Sequence, residues 1–212
     1  MKNIKKLGIP EPILITKSVE KTFTKILLEG YKYNPKNYLS SGREIPHLKI
    51  RPRELLGLCI MSHLGNYLTG ENWLPATDPW GRDGSIIVER DGIRVGMVIE
   101  QVYVGSHSKG DLTKNVLQAI KKKEDRGKSY TDDVNLVVFV DTHGELEVEM
   151  IAKRIQNSPF GAIYLFGLAD PKDFLYFAAI LKSPSEPLSS VLIKVNHKTG
   201  RAALSVINKH KD

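Results

Sequence analysis

Three acidic residues of this 212-residue chain lie where carboxylates can do chemistry. Asp83 follows a glycine-containing turn and opens a predicted strand, and Glu100 lies 17 positions later inside the next predicted strand. Because neighbouring strands lie about 4.8 Å apart, two such carboxylates can meet at one end of a sheet and share one divalent ion. Magnesium is typically held by one or two carboxylates together with water and phosphate oxygens. Glu54, near the start of the preceding predicted helix, could close the same site.

Each of these acids also has a simpler structural interpretation. Asp83-Gly84 is a common turn dipeptide, and an acid in a first helical turn, such as Glu54, favours the helix dipole. Glu100 stands among apolar residues, and an unpaired buried carboxylate is costly. Its structural alternative is the exposed face of an edge strand. The pattern therefore favours a site role for Glu100 and leaves Asp83 open between a ligand and a turn residue.

The elements that must position these acids follow from hydrophobic periodicity and from turn residues. Asp91-Gly92 is a strong hairpin signal between two β-branched runs. Residues 174–181 fit a strand or a helix, because a short apolar run does not distinguish the two. The pattern predicts helices over 17–29, 53–69, 111–123 and 145–156, a loop over 31–51, and strands over 85–89, 94–104, 134–141, 160–167, 191–195 and 202–207.

This order predicts an α/β fold, with a mixed central sheet flanked by helices and antiparallel early strands. We expect one domain over 1–212: an N-terminal helix and loop (1–50), a core (51–141), and a segment that completes the sheet and ends in a hairpin (142–212). That last segment could instead form the edge of a homodimer.

Composition excludes several classes of protein. With 41% hydrophobic residues and one cysteine, Cys59, the chain is neither disordered nor a disulfide scaffold. Its apolar stretches are too short to cross a bilayer, and no secretory signal is evident, so we expect a cytoplasmic protein without a membrane partner. P-loop, G-x-S-x-G and Rossmann glycine patterns are absent from the sequence, which argues against the common nucleotide-dependent enzymes.

The chain is basic, with a formal net charge of +7 and a pI of about 9.3. Seven basic and three acidic residues lie between positions 109 and 128. Such a patch favours a polyanionic partner through counterion release, and we predict nucleic acid. Lys114, Lys121, Lys122 and Lys123 would contact the phosphate backbone without reading bases. The simpler alternative is a solvated helix end, where cations also suit the dipole.

Taken together, these residues resemble the PD-(D/E)XK, or restriction-endonuclease-like, nuclease superfamily over roughly 54–141. The resemblance rests on a helix carrying Glu54, on Asp83-Gly84 before an apolar strand, on Glu100 in the following strand, and on a polar and basic helix after it. It implies a mixed sheet flanked by helices and magnesium-dependent cleavage of DNA or RNA phosphodiesters. Asp83 and Glu100 would be the metal ligands, with Glu54 as the helix carboxylate.

One position departs from the family pattern. The family lysine, which helps to activate water and to stabilise charge on phosphorus, falls two residues after the second acid, and that position is Val102. A displaced cation is one way to restore the missing function. Lys109 after the strand, or Lys114 and Lys121 on the next helix, could reach the site from another direction.

Further interpretations remain open at this point. Gln118 on the same predicted helix matches the polar residue that the family often carries there. A different register would make Gln101 the site residue, which requires Glu100 to face away, since neighbouring residues alternate between faces. The sequence predicts a magnesium-dependent nuclease, or a catalytically inactive nucleic-acid-binding or protein-interaction module of the same fold.

Overall fold

The computed structural model describes residues 50–78, 81–105, 110–141, 144–170, 175–183, 189–196 and 201–209. The helix predicted over 17–29 and most of the loop predicted over 31–51 lie outside these residues. Among the described residues, no helix combines the length and the apolar character that crossing a membrane requires.

Four helices are present in the described part of the chain. Helix α1 (Pro52–Thr69) begins with a proline at its first position and ends at Gly70, whose φ of 70° is the left-handed conformation that glycine adopts readily. The other three are α2 (Leu112–Glu124), α3 (Lys128–Thr131) and α4 (Val148–Arg154). Helices α1, α2 and α4 confirm the pattern over 53–69, 111–123 and 145–156, although α4 is shorter than predicted.

Eight strands form one sheet in the described residues, and they lie side by side in chain order. The strands are β1 (Asn72–Ala76), β2 (Gly84–Arg90), β3 (Ile93–Gly105), β4 (Val134–Asp141), β5 (Ile163–Asp170), β6 (Leu175–Lys182), β7 (Ser189–Asn196) and β8 (Arg201–Lys209).

The sheet is mixed, as the sequence predicts. Strands β1 to β3 are antiparallel, β3 to β5 are parallel, and β5 to β8 are antiparallel again. Asp91 and Gly92 have φ angles of 51° and 76°, which form the tight turn between β2 and β3. The two parallel connections run through α2 and α4, because parallel neighbours need a crossover.

Helices cover both faces of the sheet. On one face, α1 packs against Ile99, Val137 and Phe139; on the other, α2 and α4 pack against Leu136 and Val138. Strand β4 is therefore buried on both sides, which explains its continuous apolar sequence.

The sequence pattern did not predict strand β1 or helix α3. Strand β1 contains Pro75, which lacks a backbone N–H and is tolerated because β1 lies at the edge of the sheet. Helix α3 is a single turn, too short to show periodicity. The ambiguous run over 174–181 is a strand where it is described: β6 begins at Leu175, and with β7 and β8 it completes the sheet.

Candidate functional site

The register of the β2–β3 hairpin brings Asp83 and Glu100 together. Gly84 pairs with Ile99, so the residue before β2 lies opposite Glu100. Asp78 holds this segment by accepting hydrogen bonds from the Arg82 backbone N–H at 2.8 Å and from the Ser85 hydroxyl at 3.5 Å. The segment thus presents Asp83 at the start of β2.

Gly84 is required by the close approach of α1 to this segment. Its φ is 148°, and a Cβ there would lie 2.4 Å from Leu58 Cδ1. The dipeptide Asp83-Gly84 is therefore more than a turn signal, because glycine lets the helix pack directly behind the acid.

Asp83 is half-buried and has two partners at its Oδ2 atom. The Gln101 backbone N–H donates a hydrogen bond at 2.7 Å, and the Lys123 ammonium lies 4.0 Å away. Burial raises the pKa of the Asp83 carboxyl above its ordinary value, and the nearby Glu100 charge adds to this effect, while the Gln101 N–H and the Lys123 charge oppose it.

Glu100 is buried in β3, which lies between β2 and β4, so the exposed edge-strand interpretation is wrong. Arg82 Nη1 donates to Oε1 at 3.0 Å, Lys123 Nζ donates to Oε2 at 2.9 Å, and the Tyr130 hydroxyl also donates to Oε2. Burial alone would raise the pKa of Glu100, but these hydrogen bonds together hold it below its ordinary value.

Lys123, in the last turn of α2, thus joins both acids. Its ammonium lies 2.9 Å from Glu100 Oε2 and 4.0 Å from Asp83 Oδ2. Burial alone would lower the pKa of Lys123, but the hydrogen bonds to Glu100 and Tyr130 raise it above its ordinary value. The side chain is therefore a protonated cation at neutral pH. Lys123 is a cation that contacts both acids, and the sequence assigned only phosphate contacts to it.

Glu54 has a structural task in α1. Its Oε2 accepts a hydrogen bond from the Arg51 backbone N–H at 2.8 Å, which caps the helix, and its Oε1 lies 3.7 Å from Arg53 Nη2. Burial raises the pKa of the Glu54 carboxyl, and the Asp83 charge contributes to this shift. The Asp83 charge therefore acts on Glu54, while the Glu54 oxygens contact Arg51 and Arg53 at the start of the same helix.

Gln101 faces α1, on the opposite side of the sheet from Glu100. Its Nε2 donates to the Glu54 backbone carbonyl at 2.7 Å, and a Cβ at Gly57 would lie 2.5 Å from its Oε1. The side chain is packed against the helix. Of the two registers that the sequence left open, the structure places Glu100, and not the Gln101 side chain, next to Lys123.

The remaining sequence-predicted residues lie around this centre or beyond the described chain. Val102 packs with the apolar residues under α2. Gln118, Lys114, Lys121 and Lys122 are exposed on α2, and two of these lysines pair with Asp111 and Asp125 at 3.6 and 2.8 Å. Lys109 lies outside the described residues.

Asp83 and Glu100 offer carboxylate oxygens, the kind of ligand that a hard cation takes. Among the described residues, no three side chains of His, Cys, Asp or Glu gather as a metal centre. Two carboxylates are nonetheless what magnesium commonly takes when water and phosphate oxygens supply the other ligands. Asp83 and Glu100 would be the residues that hold such an ion, while in this structure Glu100 pairs with Arg82 and Lys123.

Sequence reasoning missed Arg82 and Tyr130. Arg82 directly precedes Asp83, and nothing in its spacing indicates that it reaches Glu100. Tyr130 lies 30 positions from Glu100 and comes from the one-turn helix α3. Of the three partners of Glu100, only Lys123 could have been predicted from the sequence, because it continues the buried stripe of Val116 and Ile120, where a lysine requires a partner.

A scan against protein-family models found no match for this chain, and searches of curated proteins and of solved structures found none either.

Proposed function

We propose that this protein is a magnesium-dependent nuclease of the restriction-endonuclease-like type that hydrolyses phosphodiester bonds of DNA or RNA. One observation carries the proposal: the carboxylates of Asp83, directly before β2, and of Glu100, in β3, converge on a single lysine ammonium. Two acids and a lysine are the grouping that the sequence resemblance implies, with the lysine supplied by α2 instead of by position 102.

The order of elements supports the same proposal. A helix carrying Glu54 precedes the hairpin that carries Asp83 and Glu100, and a helix ending in basic residues follows. This order matches the arrangement on which the resemblance rests. The mixed sheet with helices on both faces is also what that family implies.

Each side chain would have a distinct role in the reaction. Asp83 and Glu100 would hold magnesium, which when bound lowers the pKa of a water molecule and neutralises phosphate oxygens. Lys123, kept protonated by its partners, would stabilise negative charge that develops on the phosphate and would not act as a base. Arg82 would anchor Glu100 through Oε1, while Lys123 contacts Oε2.

The exposed lysines of α2 suit a phosphate-rich substrate. Lys114 and Lys121 form exposed ion pairs with neighbouring acids, and such surface pairs contribute little to stability. Exchanging these partners for backbone phosphates therefore costs little. Together with Lys122, they would hold the substrate beside the acidic pair.

A cleavage assay with matched lysine variants tests the proposal. Supercoiled DNA and single-stranded RNA are incubated with magnesium or manganese, and Lys123→Met is compared with Lys153→Met, an exposed lysine of α4. We expect metal-dependent cleavage by the wild type, a rate roughly 10²- to 10³-fold lower for Lys123→Met, and an unchanged rate for Lys153→Met. Circular dichroism shows whether each variant is folded.

A specific observation favours a second function, an inactive nucleic-acid-binding module of the same fold. Three donors engage Glu100, and both its charged partners pair with it as a structural ion pair would. If the wild type cleaves neither substrate with either metal, yet binds DNA with an affinity that falls steeply with salt, this second function replaces the first.

A further inference from the structure

The Tyr130 hydroxyl lies at the centre of the charged groups around Glu100. It donates a hydrogen bond to Glu100 Oε2 and accepts hydrogen bonds from Lys123 Nζ at 3.0 Å and from Arg126 Nη1 at 2.9 Å. One hydroxyl therefore links the buried carboxylate to two cations.

Two guanidinium groups lie against the Tyr130 ring, next to the same carboxylate. The Arg82 and Arg126 guanidinium carbons lie 4.4 and 4.8 Å from the ring centroid, and Lys123 Nζ lies 5.6 Å from it. Cations at such distances are attracted by the ring quadrupole. The ring thus attracts the two guanidinium groups, and its hydroxyl contacts the Lys123 ammonium.

The local fold explains how Tyr130 reaches this position. Gly127, whose φ is 94°, is the N-cap of α3 and lies only a few residues after α2 ends. The Tyr130 N–H donates to the Gly127 carbonyl at 3.0 Å. The chain therefore turns back sharply, and Tyr130 faces the last turn of α2, which carries Lys123.

Lys123 needs such a partner. A lysine side chain is a flexible stem with a compact charge, and one carboxylate fixes its distance better than its direction. The Tyr130 hydroxyl is a second contact, at an angle to the first, and it brings the ammonium within 4.0 Å of Asp83.

We infer that Tyr130 is a positioning residue: its hydroxyl holds the Lys123 ammonium between Asp83 and Glu100. This inference rests on the proposed nuclease function for its consequence in catalysis. Its structural part, the immobilisation of Lys123, stands independently and has its own measurement.

Tyr130→Phe removes the hydroxyl and keeps the ring that contacts the guanidinium groups. Because displacing a reacting group by about 1 Å can cost roughly 10²-fold in rate, we expect kcat for DNA cleavage to fall about 10- to 100-fold. KM should stay within about twofold, because the exposed lysines of α2 remain. Tyr67→Phe, at an exposed tyrosine of α1, is the matched control and should leave both constants unchanged.

Chemical labelling of lysines reports on Lys123 without any cleavage. Limited acetylation with acetic anhydride, followed by mass spectrometry, compares Lys123 with exposed Lys122 in the same molecule. We expect Lys123 to be protected in the wild type and in Tyr67→Phe, and to react several-fold faster in Tyr130→Phe.

The two readouts separate failure of this inference from failure of the proposed function. Equal protection of Lys123 in Tyr130→Phe and wild type would overturn the positioning role, whatever happens to cleavage. A higher KM with unchanged kcat in Tyr130→Phe would also overturn it, because Tyr130 would then act in substrate binding. If the wild type does not cleave nucleic acid, the nuclease proposal falls, and the labelling result alone decides whether Tyr130 immobilises Lys123.

Discussion

Asp83 and Glu100 share one ammonium, yet their carboxyl groups respond to the fold in opposite directions. Burial raises the pKa of Asp83, whereas three hydrogen-bond donors hold the pKa of Glu100 below its ordinary value despite burial. The fold thus stabilises a charge on Glu100 and penalises one on Asp83. Such opposed environments for neighbouring acids are typical of functional sites.

At neutral pH, we expect Asp83→Asn to raise the free energy of unfolding. A raised folded-state pKa stabilises the protein at low pH, and this contribution is lost as the pH rises through that pKa. Asparagine is neutral at every pH and escapes the penalty, so the gain should vanish below about pH 3.9, the ordinary pKa of aspartate. Urea denaturation from pH 3 to 8 measures the difference, and an Asp83→Asn protein less stable than wild type at pH 7 would contradict it.

Glu100→Gln should have the opposite effect. A depressed folded-state pKa stabilises the protein above about pH 4.3, the ordinary pKa of glutamate, and this contribution is lost as the pH falls through the folded pKa. Removing one partner of a buried ion pair costs roughly 3–5 kcal/mol, so we expect a loss of that order at pH 7 that shrinks in acid. The same urea series checks it, and a loss independent of pH would show that charge is not the cause.

At the scale of elements, the site depends on how closely α1 packs on β3. Gly57 lets the helix lie against the Gln101 side chain, and the Gln101 backbone N–H holds Asp83. A change in this packing therefore reaches the acidic pair through one residue. Helix α2 approaches the other face of the sheet, and only its last turn reaches the acids.

Gly57→Ala should destabilise the protein by about 1 kcal/mol. A Cβ there would lie 2.5 Å from Gln101 Oε1, and overpacking costs typically about 1–3 kcal/mol. The roughly 1 kcal/mol that alanine gains over glycine inside a helix offsets part of this cost. Gly96→Ala is the control, because its nearest neighbour lies 3.6 Å away. Thermal and urea unfolding of both variants make the comparison, and an unchanged Gly57→Ala protein would refute the close packing.

At the scale of the whole molecule, the net charge of +7 is distributed unevenly. Three exposed lysines of α2 lie on the helix whose last turn reaches the acidic pair. The surface that would attract a polyanion is therefore next to the candidate site. In the proposed function, such an arrangement would accelerate and orient the approach of nucleic acid without sequence readout.

Replacing Lys114, Lys121 and Lys122 together by glutamine should weaken DNA binding and flatten its salt dependence. Each phosphate contact contributes about 0.9 to the slope of log affinity against log salt, so we expect the slope to shrink by about 2–3. Fluorescence anisotropy from 50 to 200 mM salt measures it. An unchanged slope would place the nucleic-acid surface elsewhere, and Lys153→Gln serves as the control.

Periodicity and turn residues were sufficient to predict helices α1, α2 and α4, the β2–β3 hairpin and the mixed sheet, because these signals are local in the chain. The sequence also indicated a special role for Glu100, since a carboxylate in an apolar strand requires a partner. The identity of that partner was not in the local pattern. Lys123 and Tyr130 reach Glu100 because a crossover returns α2 and α3 to β3, and Arg82 reaches it because the hairpin register places the start of β2 opposite Glu100. Contacts across such distances depend on how elements pack, and tertiary structure alone decides them.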